Sequence, residues 1–410
     1  MKRIFDPIHH FIELDEREVA LIDARPLQRL RRLRQLGLAY LAFPAAEHSR
    51  FGHALGALAV GDRVLDSLRR HDPEYFESST DFAEQRRLLR ASLVLHDVGH
   101  GPFSHACEAV LGVPHEARTR AILALPEIAQ AVERIDVDPA EVLGLITGDA
   151  ATKYPVLREL VSGPNLDADR MDYLLRDGYF TGVVSGRYDA DQLIGSLRTF
   201  EVDGARVLGV DGRGVVALES FVLARYMMFS TVYFHHPTRQ FERILQAALR
   251  EIWPNPRALD PIEEFLEWDD FRVLDALRSS QTPAARAARD RETLYALVAE
   301  FNAERDLSTF EACYTALRDR YGDAVWADTQ EQLMHRLPLG VVSGEPTVLV
   351  RTHGGLIDAR EASDLIRRVT GKAYWRKLYV ERARADVADA RAICRAITAS
   401  AQTADAAAFH

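Results

Sequence analysis

The fold of this chain is decided by the stretch HDVGHGPFSH, which covers residues 96–105. It holds three histidines and one aspartate in ten residues, interrupted by two glycines and a proline. Glycine and proline end a regular helix, so the helix predicted upstream stops here. A single His-Asp pair is common and usually has no special role. A segment this dense in ligand types, placed at a helix end, instead indicates a metal site.

Two other segments supply matching ligand types. Residues 50–53 read RFGH and residues 167–173 read DADRMDY. Nitrogen and oxygen ligands drawn from three helices would leave coordination positions open for water and a phosphate oxygen, as a catalytic metal needs. Such ligands suit Mn, Mg, Fe, Ni, Co or Zn rather than copper(I) or an iron–sulfur cluster. We therefore predict a divalent metal ion, of unassigned identity, on ligands His53, His96, Asp97 and Asp169.

The composition is that of an ordinary globular protein. The chain has 410 residues, of which 47% are apolar and 27% charged, and this excludes a disordered or fibrous class. Its length predicts two domains, or one large domain with appendages. With 51 Lys and Arg against 61 Asp and Glu, the net charge is −10. An acidic chain is a poor general binder of nucleic acid, so we do not expect that partner.

Cysteine use and hydropathy predict a cytoplasmic protein. Cys107, Cys313 and Cys394 are far apart and odd in number, so they form neither a disulfide framework nor a Cys-x-x-Cys metal site. No uninterrupted apolar run approaches the roughly 18 residues of a membrane span. The N-terminus lacks the apolar region of a signal peptide. We expect a reducing cytoplasm and no membrane partner.

Hydrophobic periodicity predicts a mainly α-helical chain. Residues 1–14 are expected to form an extended arm or short strand, and residues 198–218 a hairpin with Asp-Gly turns. Further short β segments are predicted at 336–343 and 346–352. Helices are predicted at about 16–36, 50–68, 82–97, 104–111, 118–146, from 167 onward and at 218–253.

Six ordered blocks of this sequence resemble the HD phosphohydrolase superfamily. More specifically, they resemble the deoxynucleoside-triphosphate triphosphohydrolases related to the SAM-and-HD-domain-containing protein. The resemblance covers roughly residues 4–245. The blocks are DPIHHFIEL, PLQRLRRLRQLG, FPAAEHSRFGHALG, LVLHDVGHGPFSH, DADRMDYLLRDGYFTGV and ARYMMFSTVYFHHPTR.

The resemblance implies the first of three expected parts of the chain, and the residues themselves indicate the other two. Residues 1–255 would form a helical HD catalytic core with small β-hairpin elements and the N-terminal arm. Residues 256–399 would form a C-terminal helical and mixed α/β region, beginning after the Trp253–Pro256 boundary. Residues 400–410 would be a disordered tail.

The same resemblance implies the roles of the reaction-centre residues. His53, His96, Asp97 and Asp169 match the metal ligands of the family. Around the α-phosphorus it places a second group: His100, His105, His115 and Glu116. Glu108 lies three residues after His105 and matches an acidic partner that orients a catalytic histidine. For each histidine the alternative is a hydrogen-bonded or solvent-exposed role. For His115 a further alternative is that it caps the start of a helix.

Substrate contacts follow from the resemblance in the same way. Arg50, Arg170 and Arg225 match phosphate-binding positions, with a surface salt bridge as the alternative for Arg225. The sugar would be selected by a second set: Gln35, Leu36, Tyr173, Asp177 and Tyr233. Gln35 and Asp177 match positions that hydrogen-bond the 3′-hydroxyl, and Leu36 and Tyr233 match surfaces close to the sugar. A core role is the alternative for Leu36 and Tyr173.

Three positions depart from the family pattern. Gly52 stands where many relatives carry Glu, and Phe229 replaces a polar or histidine position. His236 stands where some relatives use Lys to hold a regulatory nucleotide. Base preference and activation by a nucleotide therefore stay open.

The expected reaction is metal-dependent hydrolysis of a deoxynucleoside triphosphate to deoxynucleoside and triphosphate. The expected partners are this substrate, a nucleotide activator and further copies of the chain as a dimer or tetramer. One alternative keeps the site and changes the substrate to a monophosphate, an alarmone, a cyclic dinucleotide or a nucleic-acid end. Another is a nucleotide-sensing or single-strand-binding protein with little turnover.

Overall fold

The computed structural model describes residues 1–148, 152–333, 348–369 and 372–408. The β segment predicted at 336–343 lies outside these residues. The strands are β1 (Lys2–Asp6), β2 (His10–Leu14), β3 (Leu197–Val202), β4 (Ala205–Asp211), β5 (Tyr295–Phe301), β6 (Val325–Leu333), β7 (Leu349–Thr352), β8 (Gly355–Asp358) and β9 (Lys372–Glu381).

Helices make up most of the described chain, which confirms the mainly α fold with small sheets. The helices are α1 (Glu16–Ile22), α2 (Arg25–Arg29), α3 (Arg50–His71), α4 (Ser79–Leu95), α5 (His105–Leu111), α6 (His115–Leu123), α7 (Pro126–Glu133), α8 (Pro139–Thr147), α9 (Pro155–Ser162), α10 (Ala168–Thr181), α11 (Ala190–Ser196), α12 (Val215–Met228), α13 (His236–Ile252), α14 (Ile262–Leu266), α15 (Asp270–Ser279), α16 (Pro283–Asp290), α17 (Leu307–Tyr321), α18 (Ala359–Ala362), α19 (Asp364–Val369) and α20 (Val387–Ala408).

The predicted N-terminal arm is a β-hairpin. Strands β1 and β2 pair antiparallel, with Asp6 opposite His10. Asp15 then caps α1 through a capping box with Glu18, which satisfies amide groups that a helix start leaves free. The single helix predicted over 16–36 is wrong, because α1 ends at Ile22 and α2 begins afresh with Pro26 in its first turn. Proline has no N–H to continue the preceding helix but fits a new helix start.

The core of the site is three packed helices. Helix α3 packs against α4 and α10, and Leu58, Leu65, Leu93 and Leu174 are fully buried in one cluster. Burying a leucine side chain contributes roughly 1.5–3 kcal/mol. The packing of these helices therefore fixes the positions of the helix ends that carry the predicted ligands.

The long helix predicted at 218–253 is divided into two. Helix α12 is followed by a π-helical turn at Phe229–Tyr233, and α13 starts with Pro237 in its first turn. Within the described residues, one segment, Gly212–Tyr233, is long and apolar enough to cross a membrane by length and composition. Its Leu218, Phe221 and Val222 side chains are buried in the core, as in a core helix of a soluble protein.

Packing crosses the predicted boundary near residue 255. Helices α13, α15 and α16 share a second hydrophobic cluster with Leu38 and Phe103 from the N-terminal half. Strand β4 pairs in parallel with β7, in a sheet of order β3-β4-β7-β8. A three-stranded sheet of order β5-β9-β6 packs with α17 and α20 around a third cluster. The division at 255 stays a prediction, but parts of the C-terminal half complete the first core.

The last helix extends further than the sequence predicts. Helix α20 reaches Ala408, whereas a disordered tail is expected from residue 400. The segment is rich in alanine, the strongest helix former, which accounts for the difference.

Candidate metal centre and nucleotide cavity

Helix ends deliver the predicted metal ligands to one place. Ser49 caps α3 and puts His53 in its first turn, and Asp167 caps α10 and puts Asp169 in its first turn. His96 is the residue at which α4 ends. Side chains on terminal turns can meet where helices converge, so each cap helps to set the position of a ligand.

His53, His96 and Asp169 form a compact group. The Nε2 atom of His53 lies 2.8 Å from Asp169 Oδ1, and that of His96 lies 3.6 Å from the same oxygen. One ligand atom from each residue lies within 4.8 Å of the others, so the group could hold a metal ion. Such a set of two nitrogens and one carboxylate leaves further positions open.

Hydrogen bonding leaves the inner nitrogens free for an ion. The outer nitrogen of His53, Nδ1, lies 2.7 Å from Asp172 Oδ2, and His96 Nδ1 lies 2.7 Å from the carbonyl oxygen of Leu93. Both Nε2 atoms are buried and have no hydrogen-bond partner with good geometry among the described residues. A ring that donates from Nδ1 presents a lone pair at Nε2, which is the form that binds a metal. The donor set therefore fits a divalent ion.

The charges of this group depend strongly on one another. Burial opposes a positive charge on His53, but its contacts with Asp169 and Asp172 outweigh burial and raise its pKa to about 10. Burial likewise opposes the charge of Asp169, but the contacts with His53 and His96 hold the pKa of its carboxyl well below the ordinary range. The carboxylate is thus stabilised by positive charge beside it.

Asp97 and Arg50, predicted as metal ligand and phosphate binder, contact each other here. Arg50 Nη1 donates to Asp97 Oδ2, and Arg50 Nε donates to Ser104 Oγ at 2.9 Å. Asp97 is 3.4 Å from His96 Nε2 and 3.8 Å from His53 Nε2. Both side chains lie beside the group of His53, His96 and Asp169, and their predicted roles stay predictions.

A second group of histidines surrounds Glu108. Glu108 Oε2 lies 3.2 Å from His105 Nδ1, and Glu108 Oε1 lies 3.4 Å from His115 Nδ1. The backbone N–H of His115 also donates to Glu108 Oε1 at 3.2 Å. The contacts with His105 and His115 hold the pKa of Glu108 well below its usual range. Burial opposes the charge of His115, but the carboxylate outweighs it and raises its pKa.

This second group is poorly arranged for a metal. His100, Glu108 and His115 have ligand atoms close enough to hold an ion. However, the rings of His100 and His115 are stacked, with centroids 4.0 Å apart and planes 14° apart. Lone pairs in the planes of two stacked rings run parallel and do not meet at one ion. The arrangement suits proton transfer better than metal binding.

One large cavity joins the two groups to the predicted substrate residues. Its volume is about 930 Å³. Phe229, Phe234 and Gln330, the last from β6, also line it. The predicted residues on its wall are Gln35, Leu36, Arg50, His96, Asp97, His100, His105, Glu108, His115, Glu116, Asp169, Arg170, Tyr173, Asp177 and Tyr233. Arg225 is buried beneath Phe229, its guanidinium carbon 5.6 Å from the centre of that ring.

Sequence reasoning missed two buried partners of these residues. Asp172 is completely buried and contacts His53, although it stands in the quoted DADRMDY segment. His48 Nε2 lies 2.7 Å from Asp177 Oδ1. Both residues stand close to predicted site residues in the sequence. Asp172 lies three residues after Asp169, and His48 lies two residues before Arg50. Their pairing joins residues 119 and 129 positions apart, which no local pattern reveals.

Known proteins share this architecture. A family model described as an HD associated region matches residues 188–309. The uncharacterised protein YwfO of Bacillus subtilis is 38% identical over 247 residues, which cover 60% of this chain and 54% of that protein. The deoxynucleoside triphosphate triphosphohydrolase SAMHD1 homologue of Dictyostelium discoideum is 28% identical, covering 70% of this chain and 57% of that protein. The crystal structure of a hypothetical protein from Aquifex aeolicus is 28% identical with a TM-score of 0.79, covering 96% of this chain and 99% of that one.

The chain is similar to HD-domain proteins of the phosphohydrolase type. It resembles the SAMHD1-type proteins, as the sequence blocks predict. The chain spans little more than half the length of the two curated relatives named above, at 54% and 57%. Their likeness therefore supports the fold and the kind of site, and a specific reaction needs an argument from the residues themselves.

Proposed function

We propose that this protein hydrolyses deoxynucleoside triphosphates to deoxynucleoside and inorganic triphosphate with a divalent metal ion. One observation carries the proposal: the ligand group of His53, His96 and Asp169 meets a cavity wall that also presents histidines, arginines, tyrosines and phenylalanines. When bound, a divalent ion supplies Lewis-acid activation of a phosphate oxygen and of water. We propose His53, His96, Asp97 and Asp169 as the residues that hold it.

Two arginines support binding of a triphosphate. Arg170 lies on the cavity wall and donates to the carbonyl oxygen of Gly163 at 2.6 Å and to Asp167. Arg225 is buried, and its Nε and Nη1 have no hydrogen-bond partner among the described residues. A buried guanidinium with two unpaired nitrogens is costly, so an anionic ligand would stabilise it. The planar fork of arginine suits phosphate oxygens.

The second histidine group supports proton transfer to the leaving group. His115 is held at Nδ1 by Glu108, and its ring is stacked on His100. The carboxylate favours the protonated imidazole, which can donate a proton to the 5′-oxygen of the departing deoxynucleoside. A positioned general acid contributes about 10²–10⁴-fold in rate. His105 contacts the same carboxylate but is mostly exposed, with 74% of its side chain accessible, so His115 is the better candidate.

The sugar end of the cavity supports selection for deoxyribose. Tyr233 Oη donates to Asp177 Oδ2 at 2.8 Å, and His48 fixes the other oxygen of that carboxylate. Gln35 Oε1 is buried without a partner among the described residues, so it is free to accept from a 3′-hydroxyl. The rings of Tyr173 and Tyr233 meet edge to face, with centroids 6.1 Å apart. A 2′-hydroxyl against such surfaces would be left unpaired, at a cost of about 1–3 kcal/mol.

The test is to incubate the four dNTPs and the four NTPs with Mn²⁺ or Mg²⁺ and to identify both products. We expect deoxynucleoside and intact triphosphate, with dNTP turnover at least about fivefold above that of the matched NTP, as roughly 1 kcal/mol implies. The His96→Ala variant is the matched control and should be inactive. Release of orthophosphate or pyrophosphate would assign a different cleavage site. If only a monophosphate, an alarmone, a cyclic dinucleotide or a nucleic-acid end is turned over, the assignment of dNTPs as substrates is wrong.

We propose a cytoplasmic setting for the reaction. The three cysteines are free and buried, which accords with a reducing cytoplasm. We also propose a homo-oligomer and a nucleotide activator, in line with the family resemblance. Light scattering with and without added nucleotide tests both.

A further inference from the structure

The turn of the N-terminal hairpin reaches the surroundings of the metal group. His9 lies between β1 and β2, and only 2% of its side chain is accessible. Asp6 fixes this turn, because the backbone N–H groups of Ile8 and His9 both donate to Asp6 Oδ1 at 2.9 Å. The imidazole of His9 is thereby directed inward, toward α10, rather than into solvent.

The inward-facing imidazole meets the buried carboxylate of Asp172. His9 Nε2 lies 2.6 Å from Asp172 Oδ1, and His53 Nδ1 lies 2.7 Å from Asp172 Oδ2. Arg176 spans the same carboxylate, donating from Nη2 at 2.9 Å and from Nε at 2.8 Å. Arg176 Nη1 also donates to Asp6 Oδ2 at 2.9 Å. Five residues thus form a network between the hairpin and helix α3.

This network controls which nitrogen of His53 carries its proton. An ionised carboxylate only accepts hydrogen bonds, so His53 must donate to Asp172 from Nδ1. When a cation displaces the second proton of the ring, the lone pair is then at Nε2, which faces Asp169. If the Asp172 carboxylate turns, both the direction of the His53 ring and its tautomer lose their support.

We infer that His9 is a positioning residue for the metal ligand His53, acting through Asp172. His9 holds Oδ1 so that Oδ2 stays aligned with His53, and the hairpin therefore contributes to metal affinity without touching the ion. The inference rests on the metal site of the proposed function and extends it to the N-terminal arm. Groups that hydrogen-bond a metal ligand directly, as Asp172 does, typically change metal affinity by about 10–100-fold when they are removed. His9 is one contact further out, so the low end of that range is expected for it.

Arg176 does not make His9 redundant. A guanidinium spanning both oxygens fixes the position of the carboxylate along α10, since Arg176 and Asp172 lie one turn apart. It does not fill the volume on the hairpin side of Oδ1, where His9 sits. With His9 removed, a water molecule could enter beside the buried carboxylate, and the carboxylate could turn away from His53.

The experiment compares Mn²⁺ binding by calorimetric titration in the full-length wild type, His9→Ala, His9→Gln and Phe11→Ala, without nucleotide. Glutamine places an N–H donor close to the position of His9 Nε2. Phe11 lies on the same hairpin with its side chain exposed, so Phe11→Ala is the matched control. We expect about tenfold or greater weakening in His9→Ala, recovery to within about threefold in His9→Gln, and no change in the control.

Two results would overturn the inference. One is equal Mn²⁺ affinity in wild type and His9→Ala. The other is a folded His9→Gln that binds as weakly as His9→Ala, since this would assign the effect to packing. Failure of the proposed function is distinguishable: a wild type that binds no Mn²⁺ refutes the metal site itself, and a wild type that binds Mn²⁺ but leaves dNTPs intact refutes only the reaction.

Discussion

A single methyl group added at Gly56 should disrupt the support of the proposed metal ligand His53. Gly56 lies inside α3, and a Cβ built there would be 2.0 Å from Asp172 Oδ1 and 2.2 Å from Arg176 Nη2. Contacts that short do not occur, so the buried carboxylate or the guanidinium must move by about 1 Å. Each charge-assisted hydrogen bond broken costs about 1.5–3 kcal/mol, whereas alanine gains about 1 kcal/mol in helix propensity. We expect Gly56→Ala to lose about 2–5 kcal/mol of unfolding free energy.

Gly195 offers a matched control for this prediction. It lies in α11, is exposed, and a Cβ there would meet no atom within 4 Å. Gly195→Ala should therefore be neutral or more stable by up to about 1 kcal/mol. Urea denaturation gives the free energies, and Mn²⁺ titration gives the metal affinity of each folded variant. A Gly56→Ala variant as stable as Gly195→Ala, with unchanged Mn²⁺ affinity, would refute the packing of Asp172 described above.

Two further predictions concern the leaving group and a distant carboxyl group. His115→Ala should keep Mn²⁺ and dNTP binding but lose at least about tenfold in single-turnover rate; unchanged turnover removes His115 from the catalytic set, and lost metal moves it into the ligand shell. Burial raises the pKa of Glu159 from 4.5 to about 7, despite the hydrogen bond donated by Leu208 N. A raised carboxyl pKa lowers stability as pH rises from about 4.5 through 7, so Glu159→Gln should gain roughly 1–3 kcal/mol at pH 8 and nothing at pH 4. Urea denaturation at both pH values measures this, and an equal effect at the two would contradict it.

The sequence predicted the parts of the site that lie within short segments. The dense stretch at 96–105 indicated His96 and its helix end, and the group of His53, His96 and Asp169 is close enough to hold an ion. Helix ends could be anticipated because glycine, proline and capping residues act locally. The break before α13 was not predicted, because the apolar pattern continues across it. Pro237, in the first turn of α13, was the local signal for it.

Long-range pairing could not be predicted in this way. His9 and Asp172 are 163 positions apart, and nothing near either residue signals the other. The contact of Arg50 with Asp97 was not predicted either. Arg50 was assigned to phosphate binding and Asp97 to the metal, so the two were not expected to pair. The parallel pairing of β4 with β7 joins strands of the two predicted domains. Such pairings depend on how helices and strands meet in three dimensions, which local periodicity does not specify.

The arrangement of charges distinguishes Asp169 from the two other carboxylates near His53, Asp97 and Asp172. Asp97 is paired with Arg50, and Asp172 is spanned by Arg176. In the part of the chain that the structure describes, Asp169 has no arginine or lysine within ion-pair distance and contacts the two imidazoles. A carboxylate on a cavity wall that lacks a fixed cation is stabilised by binding one. Arg176 thus balances the charge of Asp172, which orients His53, and Arg50 balances the charge of Asp97, which lies beside the proposed site.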